Sequence, residues 1–437
     1  MSKGPRPAEA NPLRTAAFRG LWLSNAAGDA ALMVAMFTTS LVLTLWLHAP
    51  AFVVGLVQPL SNAGALIFGL VVGVFVDRWG QRRTMYAAVW ARLLGYSLPV
   101  FAWALGWLHP WQLLLAVFVA SVADTFFRAA QSSLLPVLVG RKGVPDAAAA
   151  LQASDQVVQL AAPVGAGLLT KLVPAPLVLA LSAVGQLFSL LGLRALPADQ
   201  AHAPDHQHQR ILPAIREGLG FFARTPLLAA VMLAAMTNNF AAGLYASAET
   251  VFVLRVLGMD PVVFGLLMSV SAVGGILGAL LAPRLGRRWG PLRTLFCGAT
   301  LMPINFALIP LAALWPQAQV AIVGISFVLF GLSLGCFGVS SAGLSAQLTP
   351  SRLMARVSST RRTFTQGAVV LGGLLSAVLS QAFGTLVPLI AAAAISALQF
   401  IPLLRVGVPR RGAPSQAELE AALEESEGEA GEAGEVR

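Results

Sequence analysis

Six ionisable side chains interrupt long apolar stretches of this 437-residue chain: Asp29, Arg92, Asp124, Arg128, Asp155 and Glu249. Placing such a group in hydrocarbon costs roughly 2.5–3.5 kcal/mol on insertion scales, so each needs a chemical or structural reason. A carboxyl group in a low-dielectric cavity can load and release a proton, which makes Asp29 and Asp155 proton-coupling candidates; each also serves equally as a helix-packing group. Asp124 and Arg128 stand four apart on one helical face and can neutralise each other, as a structural pair or a proton-sensitive one. Arg92 lies about two turns from one end of its stretch, where it can snorkel to the membrane surface. Glu249 lies near Arg255, as a gate residue or a rim charge. Asn25, Asn238, Asn239 and Asn305 are candidates for hydrogen-bonding a substrate or for tying helices together. Met33, Met36, Phe37, Phe126 and Phe127 suit either an adaptable apolar pocket or ordinary packing.

Other chemistry is excluded. No glycine-rich run ending in Gly-Lys-Ser/Thr offers a nucleotide loop, and no nucleophile–base set or zinc-helix motif occurs. The chain is therefore not read as an enzyme, and no cofactor is expected. Cys297 and Cys336 cannot build a disulfide framework or a four-thiolate site. His202, His206 and His208 beside Asp205 form a loose cluster in a polar connection, read as solvated linker with no metal site.

The elements that must carry these residues are membrane helices. Hydrophobic residues make up 57% of the chain and charged ones 11%, less than half the roughly 25% of a soluble domain, and the mean hydropathy is +0.75. A span needs roughly 20 apolar residues. Twelve such stretches lie at about 18–47, 52–76, 84–107, 110–139, 147–171, 174–195, 226–254, 261–283, 293–315, 317–347, 360–384 and 386–405. The net charge of +10 first suggests nucleic acid, but 25 of the 29 basic residues fall before span 1, in the even-to-odd connections or after span 12. The expectation is a multi-pass inner-membrane protein with both termini cytoplasmic, contacting membrane lipids and no nucleic acid.

The organisation expected is a cytoplasmic segment 1–17, a six-helix bundle 18–195, a linker 196–225 with a short amphipathic piece, a second bundle 226–405, and a tail 406–437. The tail carries eight glutamates and reads as disordered. Six plus six spans is the layout of transporters built from two repeats around a central cavity. One chain supplies both repeats, so a functional monomer suffices.

The connection between spans 2 and 3 reads Gly73-Val-Phe-Val-Asp77-Arg78-Trp79-Gly80-Gln81-Arg82-Arg83. It resembles the signature loop of the major facilitator superfamily: glycine, three residues, Asp-Arg, any residue, glycine, then a basic cluster. A weaker copy, Pro283-Arg284-Leu285-Gly286-Arg287-Arg288, follows span 8; matching Gly80 to Gly286 sets Pro283 opposite Asp77, a shift of 206 residues. Phe18-Arg19-Gly20-Leu21-Trp22 with Gly28-Asp29, Leu135-Pro136-Val137-Leu138-Val139, and Ala162-Pro163-Val164-Gly165-Ala166-Gly167-Leu168 narrow the likeness. Together they are similar to the drug:proton antiporter branch with macrolide-efflux and enterobactin-exporter relatives. Ala162 replaces that branch's usual first glycine in the antiporter motif.

The resemblance implies an all-α major facilitator fold of two pseudo-symmetric six-helix bundles, exporting an amphipathic small molecule in exchange for protons. It further implies that Asp77, Arg78, Arg82 and Arg83, set by Gly73 and Gly80, form a cytoplasmic latch toward the start of span 11 near Ser358–Arg362. Pro163, Gly165 and Gly167 would be the antiporter-like motif. The alternatives are a lipid, siderophore or metabolite carrier, an uncoupled facilitator, or a non-transporting membrane sensor or scaffold.

Overall fold

The computed structural model of the chain describes residues 15–69, 71–197, 220–222, 225–349 and 354–406. The linker histidines and the acidic tail lie outside the described residues. The elements are α1 (Ala16–Leu41), α2 (Ala51–Gly55), α3 (Val57–Phe68), α4 (Val72–Trp79), α5 (Gln81–Ala104), α6 (Pro110–Leu172), α7 (Ala175–Leu193), α8 (Pro226–Val251), α9 (Pro261–Trp289), α10 (Pro291–Ala312), α11 (Gln319–Leu348), α12 (Met354–Phe383), α13 (Leu386–Ala397) and α14 (Phe400–Val406). No strand occurs among the described residues.

Among the described residues ten stretches are long and apolar enough to cross a membrane. The other two expected spans, 84–107 and 147–171, are helical too, in α5 and the later part of α6. They are more polar: 84–107 carries Arg92, and 147–171 carries Asp155 beside Gln152, Gln156 and Gln159. α6 bends at Gly140, whose φ of 72° and ψ of 158° lie where a Cβ is costly. It thus holds two arms, 110–139 and 141–172. Exposed apolar side chains such as Phe101, Leu168 and Leu371 cover helix faces, as lipid requires.

The two halves repeat in backbone detail. α1 ends in a π-helical turn, Val42–Trp46, and α8 ends in another, Phe252–Val256, 210 residues later. In the first, Leu47 N–H donates to the Val42 carbonyl (2.8 Å) and Ala49 N–H to Leu43 (2.9 Å); in the second, Leu257 donates to Phe252 (3.0 Å) and Met259 to Val253 (3.1 Å). His48 and Gly258, again 48 against 258, both take positive φ. The same shift pairs Gly80 (φ 87°) with Gly290 (φ 88°).

This corrects the alignment expected from the loop motif. Gly286 lies inside α9, so the true counterpart of Gly80 is Gly290, and Arg287 rather than Pro283 stands at the position of Asp77. The second copy still lacks the acid.

Two compact units emerge. One gathers the described parts of 1–207 with 246–272 and 373–386; the other gathers those of 208–245, 273–372 and 387–437. Segments of α8, α9 and α12 therefore pack in the same unit as α1–α7, and the units do not coincide with the two halves of the sequence.

Candidate transport site

The site grows out of α1. Its residue Ser24 pairs with Ser189 of α7, hydroxyl to hydroxyl at 2.8 Å, and the Ser189 hydroxyl also donates to the Ser24 carbonyl at 2.9 Å. This seam seats the next turns, Asn25 and Asp29, against α6. The Asn25 amide nitrogen donates to Asp29 (3.2 Å) and to Asp155 (2.8 Å), while its carbonyl oxygen accepts from Gln131 (2.9 Å). On the far side of Asp29, Arg128 Nη2 donates to it at 3.2 Å, and Arg128 Nε donates to Asp124 at 2.9 Å. Asp124 also accepts from Arg92 Nη2 at 2.6 Å.

Asp155, Asn25, Asp29, Arg128, Asp124 and Arg92 thus form one continuous chain of hydrogen bonds through α1, α5 and α6. Counted as ionised groups, it holds three carboxylates and two guanidiniums. One negative charge is left over, in surroundings where an uncompensated charge is expensive.

A cavity of about 430 Å³ opens beside this chain, inside the first compact unit. Asp29, Asp124, Arg128 and Glu249 bring charge to its wall. Tyr96, Gln58, Ser61 and Asn62 add polar groups; Met33, Met36, Phe37, Phe264 and Met268 form the apolar part. Phe37 and Phe264 stack with ring centres 6.0 Å apart. That size and mixture suit a small organic molecule.

Tight helix contacts shape the cavity. Gly64 lets α3 lie directly on α6, since a Cβ there would collide with the Ser121 backbone. Its N–H donates to the Ser121 hydroxyl (2.9 Å), which donates in turn to the Ser61 carbonyl (2.8 Å). A Cβ at Gly265 of α9 would strike the Pro163 carbonyl, so α9 lies directly on the second arm of α6.

Residues 8–429 match the model of the transmembrane secretion effector family, one of the major facilitator families. The chain belongs to that family. It is a multi-pass membrane transporter of the major facilitator type, and not an enzyme. Two relatives are uncharacterised MFS-type transporters of Bacillus subtilis (strain 168). YfiS is 24% identical over 342 residues, 77% of this chain and 80% of its own length. YvqJ is 24% identical over 186 residues, 41% of this chain and 44% of its own. The fold is that of solved transporters. A bacterial homologue of the iron transporter ferroportin in an inward-facing state has a TM-score of 0.68 at 16% identity, covering 90% of this chain and 98% of that one. A bacterial homologue of the lysosomal transporter Spinster gives 0.67 at 15% identity, covering 92% and 100%. The nucleoside transporter NupG gives 0.66 at 14% identity, covering 89% and 99%.

In this family member the acids and arginines singled out from the sequence converge: all except Asp155 and Arg92 line the cavity, and those two complete the chain behind it. Met33, Met36 and Phe37 reach the cavity, but Phe127 does not. It is 1% exposed in the core, with the Arg92 guanidinium 4.8 Å above its ring. Arg92 departs from expectation: rather than snorkelling it is 0% exposed and turned inward, because Asp124 offers a partner that the membrane surface cannot match in low dielectric.

Asn238 accepts from Ser396 (3.4 Å), Asn239 donates to the Ala235 carbonyl (2.8 Å), and Asn305 accepts from Ser326 (2.5 Å). These three serve helix contacts and local backbone in the second unit. Arg255 donates to the Thr44 carbonyl from Nε (3.0 Å) and Nη2 (2.6 Å), tying the two π-turns together.

Of the antiporter-like motif, Pro163 lines the cavity and Gly167 lies against Pro261 and Val262, while Gly165 faces open space. In the signature loop Asp77, Arg78 and Arg83 are exposed, Gly73 has open space beside it, and the Arg82 guanidinium sits 5.6 Å over the Tyr86 ring. The side chains of Ser358 and Ser359 lie outside the described residues. Gln58, Asn62, Gln131, Phe264 and Met268 were not foreseen. The signal for two of them was available, since Gln58 and Asn62 stand four apart in an apolar helix and share a face.

Proposed function

We propose that this transporter exports amphipathic cations, drug-like in size, in exchange for protons by alternating access. The reading rests on one observation: Arg128, on the cavity wall, is shared between Asp29 and Asp124 in a network with one negative charge in excess. One proton neutralises that excess. So does one monovalent cation in the cavity, where Asp29, Asp124 and Glu249 outnumber Arg128. Proton and substrate then compete for the same compensation, and a ligand that binds two conformations unequally shifts their balance. The thioether and aromatic lining supplies the apolar half of the recognition. An anionic cargo such as a siderophore meets repulsion from the same wall.

In this reading the six-helix halves 18–195 and 226–405 are the moving repeats, Asp77 and its arginines latch the cytoplasmic side, and both termini are cytoplasmic in the inner membrane. The likeness to the drug:proton antiporter motifs supports it.

Everted vesicles energised with lactate provide the test. Adding a lipophilic cation such as tetraphenylphosphonium is expected to release protons from vesicles carrying the wild type. Asp29→Asn, neutral without a proton, is expected to lose proton-driven transport by tenfold or more while substrate–substrate exchange persists. Normal transport by Asp29→Asn without any proton release would remove the coupling proposal.

A further inference from the structure

We infer that Arg92 is a positioning residue: it holds Asp124 as the permanent anion of the network and thereby confines the exchangeable proton to the Asp29–Asn25–Asp155 arm. This rests on the proton-coupled reading above and assigns a role to a buried charge that the transport scheme leaves idle.

The two arginines that meet at Asp124 differ in freedom. Arg128 has a side chain 40% exposed and divides its donors between two carboxylates. It can change partners without leaving the cavity wall. Arg92 is sealed. Its Nη2 holds Asp124 at 2.6 Å, and Phe127 lies beneath it. A Cβ on Gly28 would stand only 3.3 Å from its Nη1. Among the described residues its Nε and Nη1 have no hydrogen-bond partner, and Asp124 alone accepts from it.

The charged and titratable groups around Arg92 are few. Among the described residues α1 offers Asp29, α6 offers Asp124 and Arg128, and α5 itself offers Tyr96, while the neutral Ser189 of α7 packs against the same Gly28. Behind Asp29 stands Asp155, and Glu249 faces the cavity. Across this set, Asp124 accepts from two guanidiniums, Asp29 from one guanidinium and one amide, and Asp155 from an amide. Each charged donor favours the ionised form of its acceptor. Asp124 is thus the carboxylate held by the most positive charge.

The second half of the molecule argues that the charge is not there for packing. At the shift of 210 residues, Met302 of α10 stands where α5 has Arg92, and it is equally buried, at 2% exposed. The fold accepts a thioether in this place. The first half retains a guanidinium because something beside it must remain ionised.

The test is an infrared titration of the carboxyl C=O band on the purified full-length protein in lipid nanodiscs, from pH 4 to 10, for wild type and three variants. Arg92→Met raises the excess negative charge from one to two. The pH of half-formation of the band is expected to move upward by about one unit or more. Arg92→Lys keeps the charge and is expected to stay within a few tenths of a unit of wild type. Arg92→Met combined with Asp124→Asn removes one charge of each sign, restores an excess of one, and is expected to return the midpoint toward wild type.

A folded Arg92→Met, by monodispersity and melting, with an unmoved midpoint overturns this inference alone. If Arg92→Met does not fold, the double variant decides: a midpoint far from wild type overturns the inference. A wild type with no titrating carboxyl in the range overturns both this inference and the coupling proposal.

Discussion

Glu249 enters the cavity from α8 and is only 7% exposed, so its charge acts across a poorly screened space. A unit charge about 7 Å from a bound cation contributes roughly 2 kcal/mol at an effective dielectric of 20. Glu249→Gln is therefore expected to weaken tetraphenylphosphonium binding by tenfold or more in calorimetry on the purified protein. The neutral analogue triphenylphosphine oxide should change less than about twofold. Equal losses for both ligands would show that Glu249 shapes the cavity rather than charging it. At this scale the sequence shows which charges the membrane helices carry and says little of how they are arranged. Any acid within twenty apolar residues stands out, so Asp29, Asp124, Asp155 and Glu249 were all visible. The inward turn of Arg92 was not, because its partner Asp124 is 32 positions away and on another helix. The asparagines failed for a similar reason. Asn25 has an acid four residues on in its own helix and Asn305 does not, but Asp155 and Ser326, the partners that give each its place, stand on other helices.

Helices, unlike side-chain partners, follow from local pattern, and all twelve expected spans are helical. What the pattern misjudged was the register between the two halves. Four-letter similarity in an arginine-rich loop selected Gly286, whereas backbone geometry selects Gly290, which ends α9 at φ 88° as Gly80 ends α4 at φ 87°. The distinction is measurable. A Cβ at either Gly286 or Gly290 meets nothing within 4 Å, so substitution acts through the backbone alone. Gly290→Ala forces an L-residue to φ 88° and ψ 154°, a region essentially confined to glycine, and is expected to destabilise by about 1–3 kcal/mol. Gly286→Ala removes a flexible residue from a helix interior and is expected to stabilise by roughly 0.5–1 kcal/mol. Melting temperatures of the two variants in one detergent should move in opposite directions. A matching fall in both would return the motif to the 206-residue register.

At the scale of the whole molecule, the correct register exposes an imbalance that composition and motif reading did not reveal. By the shift of 210, Asn239 stands for Asp29 and Met302 for Arg92. In the fourth helix of each half, where Pro110 corresponds to Gln319, a shift of 209 sets Ser333 for Asp124 and Phe337 for Arg128. The repeat duplicated the backbone, down to its π-turns, while the hydrogen-bonded ionic chain is kept in the first copy and the second half brings a single charge, Glu249, to the cavity wall. A single network with a single excess charge has a consequence for energetics. If one proton and one monovalent cation take turns compensating it, a full cycle moves no net charge across the bilayer. Were one net charge to cross, 100 mV would be worth about 2.3 kcal/mol, or roughly fiftyfold in the steady gradient. In proteoliposomes clamped with valinomycin and potassium, a 100 mV potential at fixed pH difference is thus expected to change accumulation of tetraphenylphosphonium less than about twofold, after subtraction of its passive potential-driven uptake in protein-free liposomes. One unit of pH difference is expected to change it by about tenfold, the ratio that one exchanged proton permits. A large response to potential at constant pH would mean that a second site takes part, and Glu249, the remaining acid on the cavity wall, is where that second charge would be sought.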